Sequence, residues 1–145
     1  MSLVIDANVF VASALAEDRF HHVSQQFLFE ARLAGEAIYE PVLVLAEVAG
    51  VISRVRQDHS LGDVAVLRIE NFPRTRLRIA DGPFARRAAR LAARHRLSGA
   101  DSHYAALAVE FSSTLITLDG ALLDLDAAGV LSAKTPEVWL AEHGM

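Results

Sequence analysis

The chain has 145 residues, 52% of them hydrophobic, with no cysteine and a formal net charge of −4. That length fits one domain over residues 1–145 with enough apolar surface for a core, and the lack of cysteine excludes disulfides, thiol catalysis and cysteine metal sites. No signal-like segment opens the chain and the longest apolar run, residues 42–52, contains Glu47 and is too short for a bilayer, so the expectation is a soluble, cytoplasmic protein with no membrane association.

Leu3-Val4-Ile5 reads as a strand buried on both faces, running directly into Asp6. A helix is expected next, to about residue 15, and after the polar break Glu17-Asp18-Arg19 a second over residues 20–33, ended by Gly35. Ala37-Ile38-Tyr39 reads as a short strand. Pro41 suits the first position of a helix that continues to about residue 56. Residues 61–72 form another helical pattern, closed by Pro73. Residues 75–80 alternate as a strand, with Arg76 and Arg78 facing away from Leu77 and Ile79. Asp81 caps a helix over residues 83–96, and Leu97-Ser98-Gly99 leads into one from residue 100 or 101 to 111. Residues 114–118 read as a second buried strand ending at Asp119, followed by a short helix, a strand near residues 130–132, and a last helix from Pro136 carrying Trp139. Strands alternating with helices imply βαβ units: an α/β fold with a mainly parallel sheet and helices on both faces.

Four acids carry the chemistry. Asp6 ends a buried strand, where open α/β sheets place their ligands, although the same position suits a helix cap. Glu47 has Leu43, Val44, Gly50 and Val51 as its helical neighbours; an ionised carboxylate there needs a partner or a metal unless the helix has one exposed edge. Asp101 opens a helix and reads equally as a cap. Asp119 ends a strand as Asp6 does, and the two carboxylates meet if those strands are neighbours. Four converging acids repel, by about 4 kcal/mol per close pair near a protein surface, and a divalent cation removes that cost. Oxygen-only ligands select Mg²⁺ or Mn²⁺ over zinc, and such an ion suits phosphodiester hydrolysis.

These residues resemble the PIN-domain family, most closely the small VapC-like toxin ribonucleases. The motifs "VIDANVFV", "EPVLVLAEV", "LSGADSHYAALA" and "TLITLDGAL" occur in order across nearly the whole chain. The resemblance implies a three-layer α/β/α sandwich and a metal-dependent endoribonuclease with Asp6, Glu47, Asp101 and Asp119 as catalytic and metal-binding acids. It also implies Asn8 and Thr117 as supporting polar residues, an RNA substrate, a homodimer and a cognate antitoxin that blocks the site. Two departures stand out: His103 follows Ser102 in the third motif, and Gly120 follows Asp119 where the family often has a basic residue.

Eight of the 13 arginines fall between residues 74 and 96. Arg86, Arg90 and Arg94 repeat every four residues along one helical stripe, with Arg87 beside them. They suit RNA phosphates or an acidic antitoxin, or a solvated face with salt bridges elsewhere. His21-His22 reads as a surface pair. Two rival functions use the same fold: a non-catalytic RNA- or protein-binding domain, and a receiver-like phosphoacceptor with Asp6 in its acidic pocket and Lys134 after a late strand. The second lacks paired acids at the first strand and an acceptor at the third.

Overall fold

The apolar run that opens the chain forms strand β1 (Ser2–Ile5), and Leu3, Val4 and Ile5 are buried on both faces as expected. The structure, a computed structural model, describes residues 1–144. Strands β2 (Ala37–Pro41), β3 (Thr75–Arg78), β4 (Thr114–Ile116) and β5 (Ser132–Lys134) join β1 in one parallel sheet of order β3-β2-β1-β4-β5. Between them run α1 (Ala7–Ala14), α2 (His21–Leu33), α3 (Val44–Arg56), α4 (His59–Glu70), α5 (Gly82–His95), α6 (Gly99–Glu110) and α7 (Gly120–Ala127), and α8 (Pro136–Glu142) follows β5.

The chain moves from β1 to β3 in one direction across the sheet and returns through β4 to β5 in the other. Right-handed parallel crossovers then put α1 to α4 on one face and α5 to α7 on the opposite face. The packing agrees. α1 lies against α2 and α3, α3 against α4, and α8 closes over α2, while α5 packs on α6. Phe27 and Trp139 seal the α2–α8 contact, their rings edge-to-face at 5.1 Å. The result is the three-layer α/β/α architecture expected from the alternating pattern.

Tyr104, Ala105, Leu107 and Ala108 of α6 are at most 1% exposed, because this helix lies across β2, β1 and β4. Its far end is tied to the sheet edge by charge: the Arg78 guanidinium grips both oxygens of Glu110 at 2.9 and 3.0 Å, and Arg87 adds a third bond at 2.7 Å. α4 approaches α3 so closely that a Cβ on Gly62 would sit 2.9 Å from the Ala49 carbonyl oxygen. None of the described helices is long and apolar enough to cross a membrane.

Several boundaries differ from the sequence reading, each for a local reason. Pro41 ends β2, paired with Arg78, and α3 starts three residues later at Val44; proline fits the extended end of a strand as well as a first helical turn. β5 begins at Ser132 rather than Val130. The Val130 amide instead bonds the Leu125 carbonyl at 2.9 Å, closing α7 through Gly129 at φ +74°. α4 begins at His59, not near residue 61, because the Asp58 side chain caps it through the Ser60 amide. Along β3 the apolar alternation buries little: Leu77 is 37% exposed, and Ile79, just beyond the strand, is 72% exposed. β3 is an edge strand, and the arginine between these two residues takes the ionic role already described.

Candidate functional site

The sheet order reverses direction at β1, so β1 and β4 flank a topological switch point, where crevices form beyond the strand ends. Ile5 pairs with Ile116, and the Asp6 amide bonds the Ile116 carbonyl at 2.9 Å. The two strands that end in acids are therefore neighbours. Asp6, Glu47, Asp101 and Asp119 line one cavity of about 360 Å³ there, together with Asn8, Ala7, Val11 and Val51. Four separate segments supply the acids: the ends of β1 and β4, and the first turns of α3 and α6. Helix N-termini carry partial positive charge, so all four acids sit where backbone dipoles favour them.

The simpler capping explanations fail for two of the four. Asp6 occupies the cap position of α1, yet its side chain makes no capping bond. Ser98, not Asp101, caps α6, accepting the Asp101 amide at 3.1 Å. Asp119 does cap α7, through the Ala121 amide at 3.0 Å, while also lining the cavity.

A hydrogen-bonded scaffold holds the acids. Thr117, fully buried, donates its hydroxyl to Asp6 Oδ2 at 2.8 Å and accepts the Asp119 amide at 3.0 Å. One side chain thus ties the two strand-end acids together. Asn8 Oδ1 accepts the Leu118 amide at 3.3 Å, pinning the segment between them. Both supporting residues expected from the sequence occupy such positions. Just past β4 the Thr117 amide still bonds the Lys134 carbonyl of β5 at 3.0 Å, while its side chain turns to the site.

Two residues with no role in the sequence reading complete the scaffold. Tyr104 of α6, 0% exposed, donates its hydroxyl to Glu47 Oε1 at 2.6 Å and holds that carboxylate in the cavity. Glu40 of β2 is likewise 0% exposed; its Oε1 accepts the Ile5 amide at 2.7 Å, and its Oε2 has no partner. The signal for Glu40 was present, since it is an acid in an apolar strand, as Glu47 is in an apolar helix. Nothing in a linear sequence aims the Tyr104 hydroxyl, 57 residues away, at Glu47.

Electrostatics records the crowding. Burial lifts the Asp6 carboxyl to about 6, with the Asp101 and Glu47 charges adding and the Thr117 hydrogen bond opposing. Asp101 is raised by burial, then by the charge of Asp119 and a hydrogen bond shared with it. Burial holds Glu40 well above the ordinary carboxylate range, and the Tyr104 hydroxyl is raised for the same reason. Among the described residues the acids do not close into a ready-made metal cage of three or more ligands. They share a cavity without converging on one point, as mutually repelling charges do. The donor set is all oxygen, which fits a hard divalent cation.

Other residues singled out in the sequence lie elsewhere. Arg86, Arg90 and Arg94 are exposed on α5 and do not line the cavity. His103 packs, its Nδ1 2.6 Å from the Gly99 carbonyl and its ring 5.7 Å from Phe84. His21 Nδ1 lies 2.9 Å from the Ala12 carbonyl, and its ring meets that of His22 edge-on at 5.2 Å. A larger cavity, about 580 Å³, lies among α1 to α4, with Arg32, Arg56 and Arg68 but no acid in its lining. Size does not make it the chemical site.

The fold recurs in solved structures. VapC20 of Mycobacterium tuberculosis, described as a sarcin-ricin loop cleaving toxin, matches with a TM-score of 0.69 at 21% identity, over 88% of this chain and 95% of that one. VapBC2 of Rickettsia felis, solved with a promoter DNA fragment, gives 0.69 at 14% identity over 93% and 98%. FitAcB of Neisseria gonorrhoeae gives 0.67 at 21% identity over 93% and 98%. At these identities the likeness is one of fold. No curated protein matches the chain significantly. A family model described as PIN domain matches residues 3–128, and with that match the chain belongs to the PIN domain family.

Proposed function

We propose that this PIN domain is a Mg²⁺- or Mn²⁺-dependent endoribonuclease and the toxin of a toxin–antitoxin pair. The observation that carries the reading is the cavity that four acids from four segments line without a cationic side chain. Among the described residues no arginine or lysine lies within 4.0 Å of any of these four carboxylates. Such a site is poised for an external cation. Asp6, Glu47, Asp101 and Asp119 are the residues that would hold it. A hard divalent cation, when bound, neutralises phosphate oxygens and acidifies water.

The chain's own residues prepare that chemistry. Thr117 fixes Asp6 through Oδ2, and Tyr104 fixes Glu47 through Oε1. Asn8 and Thr117 hold the Leu118 and Asp119 amides, which keeps the loop after β4 in one conformation. Preorganisation of this kind spares the cost of ordering charged groups during the reaction. The description of VapC20 as a sarcin-ricin loop cleaving toxin supports the substrate class.

The cognate antitoxin is assigned to the groove of about 580 Å³ among α1 to α4. Its apolar lining and three arginines suit an amphipathic, acidic segment. Phe10 and Val48 line the groove, and Val11 and Glu47, next in sequence, line the acid cavity. An occupant would therefore lie beside the acids and could block them. A homodimer is part of the same proposal and is read from solution mass by light scattering.

The decisive test is cleavage of single-stranded RNA with Mn²⁺, compared with EDTA and with Asp6→Asn. Cleavage lost in both controls supports the assignment. Cleavage in EDTA, or undiminished in the variant, removes it.

A further inference from the structure

We infer that the outer face of α5 is a phosphate-binding track that leads single-stranded RNA to the acid cavity. The choice of RNA rests on the ribonuclease reading above; the track itself rests on α5. That helix carries Arg86, Arg87, Arg90 and Arg94 and no acid, in a chain whose net charge is −4. Arg87 is spent on Glu110. Among the described residues Arg86, Arg90 and Arg94 are exposed and have no carboxylate within 4.0 Å. Of the expected alternative, a solvated face with salt bridges elsewhere, the solvation is present for these three and the salt bridges are not. Like charges four residues apart destabilise a helix slightly, so the stripe costs stability and calls for an external counter-charge.

Its placement suits a substrate path. α5 starts next to the edge strand β3 and ends at His95, and only Arg96, Leu97 and Ser98 separate it from α6, whose first turn carries Asp101. The stripe therefore runs from the sheet edge toward the cavity. Successive arginines stand about 6 Å apart along the axis, a step close to that of phosphates in an extended strand.

The surface between the arginines favours nucleic acid over protein. α5 exposes Ala85, Ala89 and Ala93, and none of the exposed large hydrophobic residues belongs to it. Protein interfaces need buried apolar or aromatic anchors. A backbone-tracking surface needs charge and close approach, which small alanines allow.

The test is binding of a fluorescein-labelled oligouridylate to the full chain in EDTA, by anisotropy, from 50 to 200 mM salt. Three phosphate contacts contribute about 2 to the slope of log K against log salt for a single strand. Arg86→Gln/Arg90→Gln/Arg94→Gln should lose that slope and bind at least 10-fold more weakly at 50 mM. Wild-type affinity should fall about 15-fold more than the variant's across the range. The corresponding triple lysine variant should keep the wild-type slope, which separates charge from misfolding. With Mn²⁺ the glutamine variant should show a raised KM and a nearly unchanged kcat. An unchanged slope in the glutamine variant overturns the track. So does loss of binding to labelled polyglutamate with RNA binding intact, which would assign the stripe to an acidic protein. If wild type never cleaves RNA yet the slopes differ as stated, the track stands and the nuclease reading falls.

Discussion

Asp6→Asn should stabilise the metal-free protein at neutral pH while abolishing cleavage. Asp6 is 5% exposed, and burial raises its carboxyl from the ordinary 3.8 to about 6. Between those two values the native chain holds a proton that the unfolded chain has released, so stability falls as pH rises through that window. Above about pH 6 the full cost is present, and below about pH 4 it vanishes. A shift of that size corresponds to at most about 3 kcal/mol. Asparagine removes the charge and keeps an oxygen to accept the Thr117 hydroxyl, now 2.8 Å from Asp6 Oδ2. Allowing for imperfect fit, the gain at pH 8 should be about 1–3 kcal/mol, or roughly 2–10 °C in Tm. The assay is urea denaturation of both proteins in EDTA at pH 4, 6 and 8, repeated with Mn²⁺. The variant should gain at pH 8 and not at pH 4, and Mn²⁺ should raise the midpoint of wild type alone. Equal or lower stability of the variant at pH 8, or equal Mn²⁺ stabilisation of both, would refute the reasoning.

Three further substitutions probe the scaffold. Tyr104→Phe removes the donor 2.6 Å from Glu47; a hydrogen bond to a charged group is worth about 1.5–3 kcal/mol, so kcat/KM should fall about 10- to 100-fold with an unchanged circular dichroism spectrum. Glu40→Gln replaces a carboxyl held above its ordinary range by burial. The native state keeps that proton above pH 4.5 while the unfolded chain loses it, so the variant should shed a decline in stability with rising pH, read by the same urea series. Gly62→Ala places a Cβ 2.9 Å from the Ala49 carbonyl oxygen; the α3–α4 contact should loosen by about 1–3 kcal/mol, lowering the urea midpoint without changing kcat.

Much of this molecule is legible in the linear chain because its signals are local. Leu3-Val4-Ile5 before Asp6 and the apolar run before Asp119 each mark a strand that ends in an acid, and both strands form. Asp81 caps α5 through the Phe84 amide at 2.9 Å, as its position before Pro83 indicates. Boundaries set by competition are less legible. Pro41 is compatible with a strand end and a helix start, and pairing with β3 decides between them. Val130 is apolar enough for a strand but is captured by the end of α7. The cavity acids could be named because acids in apolar contexts are rare and costly. Their tethers could not. The bonds from Tyr104 to Glu47 and from Thr117 to Asp6 bridge 57 and 111 residues, and only the order of strands in the sheet brings those ends together.

The distribution of cationic side chains explains why the cavity keeps its charge. The chain has 13 arginines and one lysine, more than enough to neutralise four acids. Among the described residues the arginine ion pairs join Arg56 to Glu17, Arg78 to Asp81 and Glu110, and Arg87 to Glu110, and Lys134 pairs with Glu142. None reaches the cavity. An arginine placed there would lower the Asp6 carboxyl and stabilise the fold, but it would also close the site to any other cation. The chain instead meets the charge with partial measures: four helix N-termini, one threonine hydroxyl and one tyrosine hydroxyl. Each of these lessens repulsion without occupying the space between the carboxylates. A fold that forgoes its own available counter-ions at one place, while using them at its edges, leaves that place open, as the proposed binding of an external cation requires.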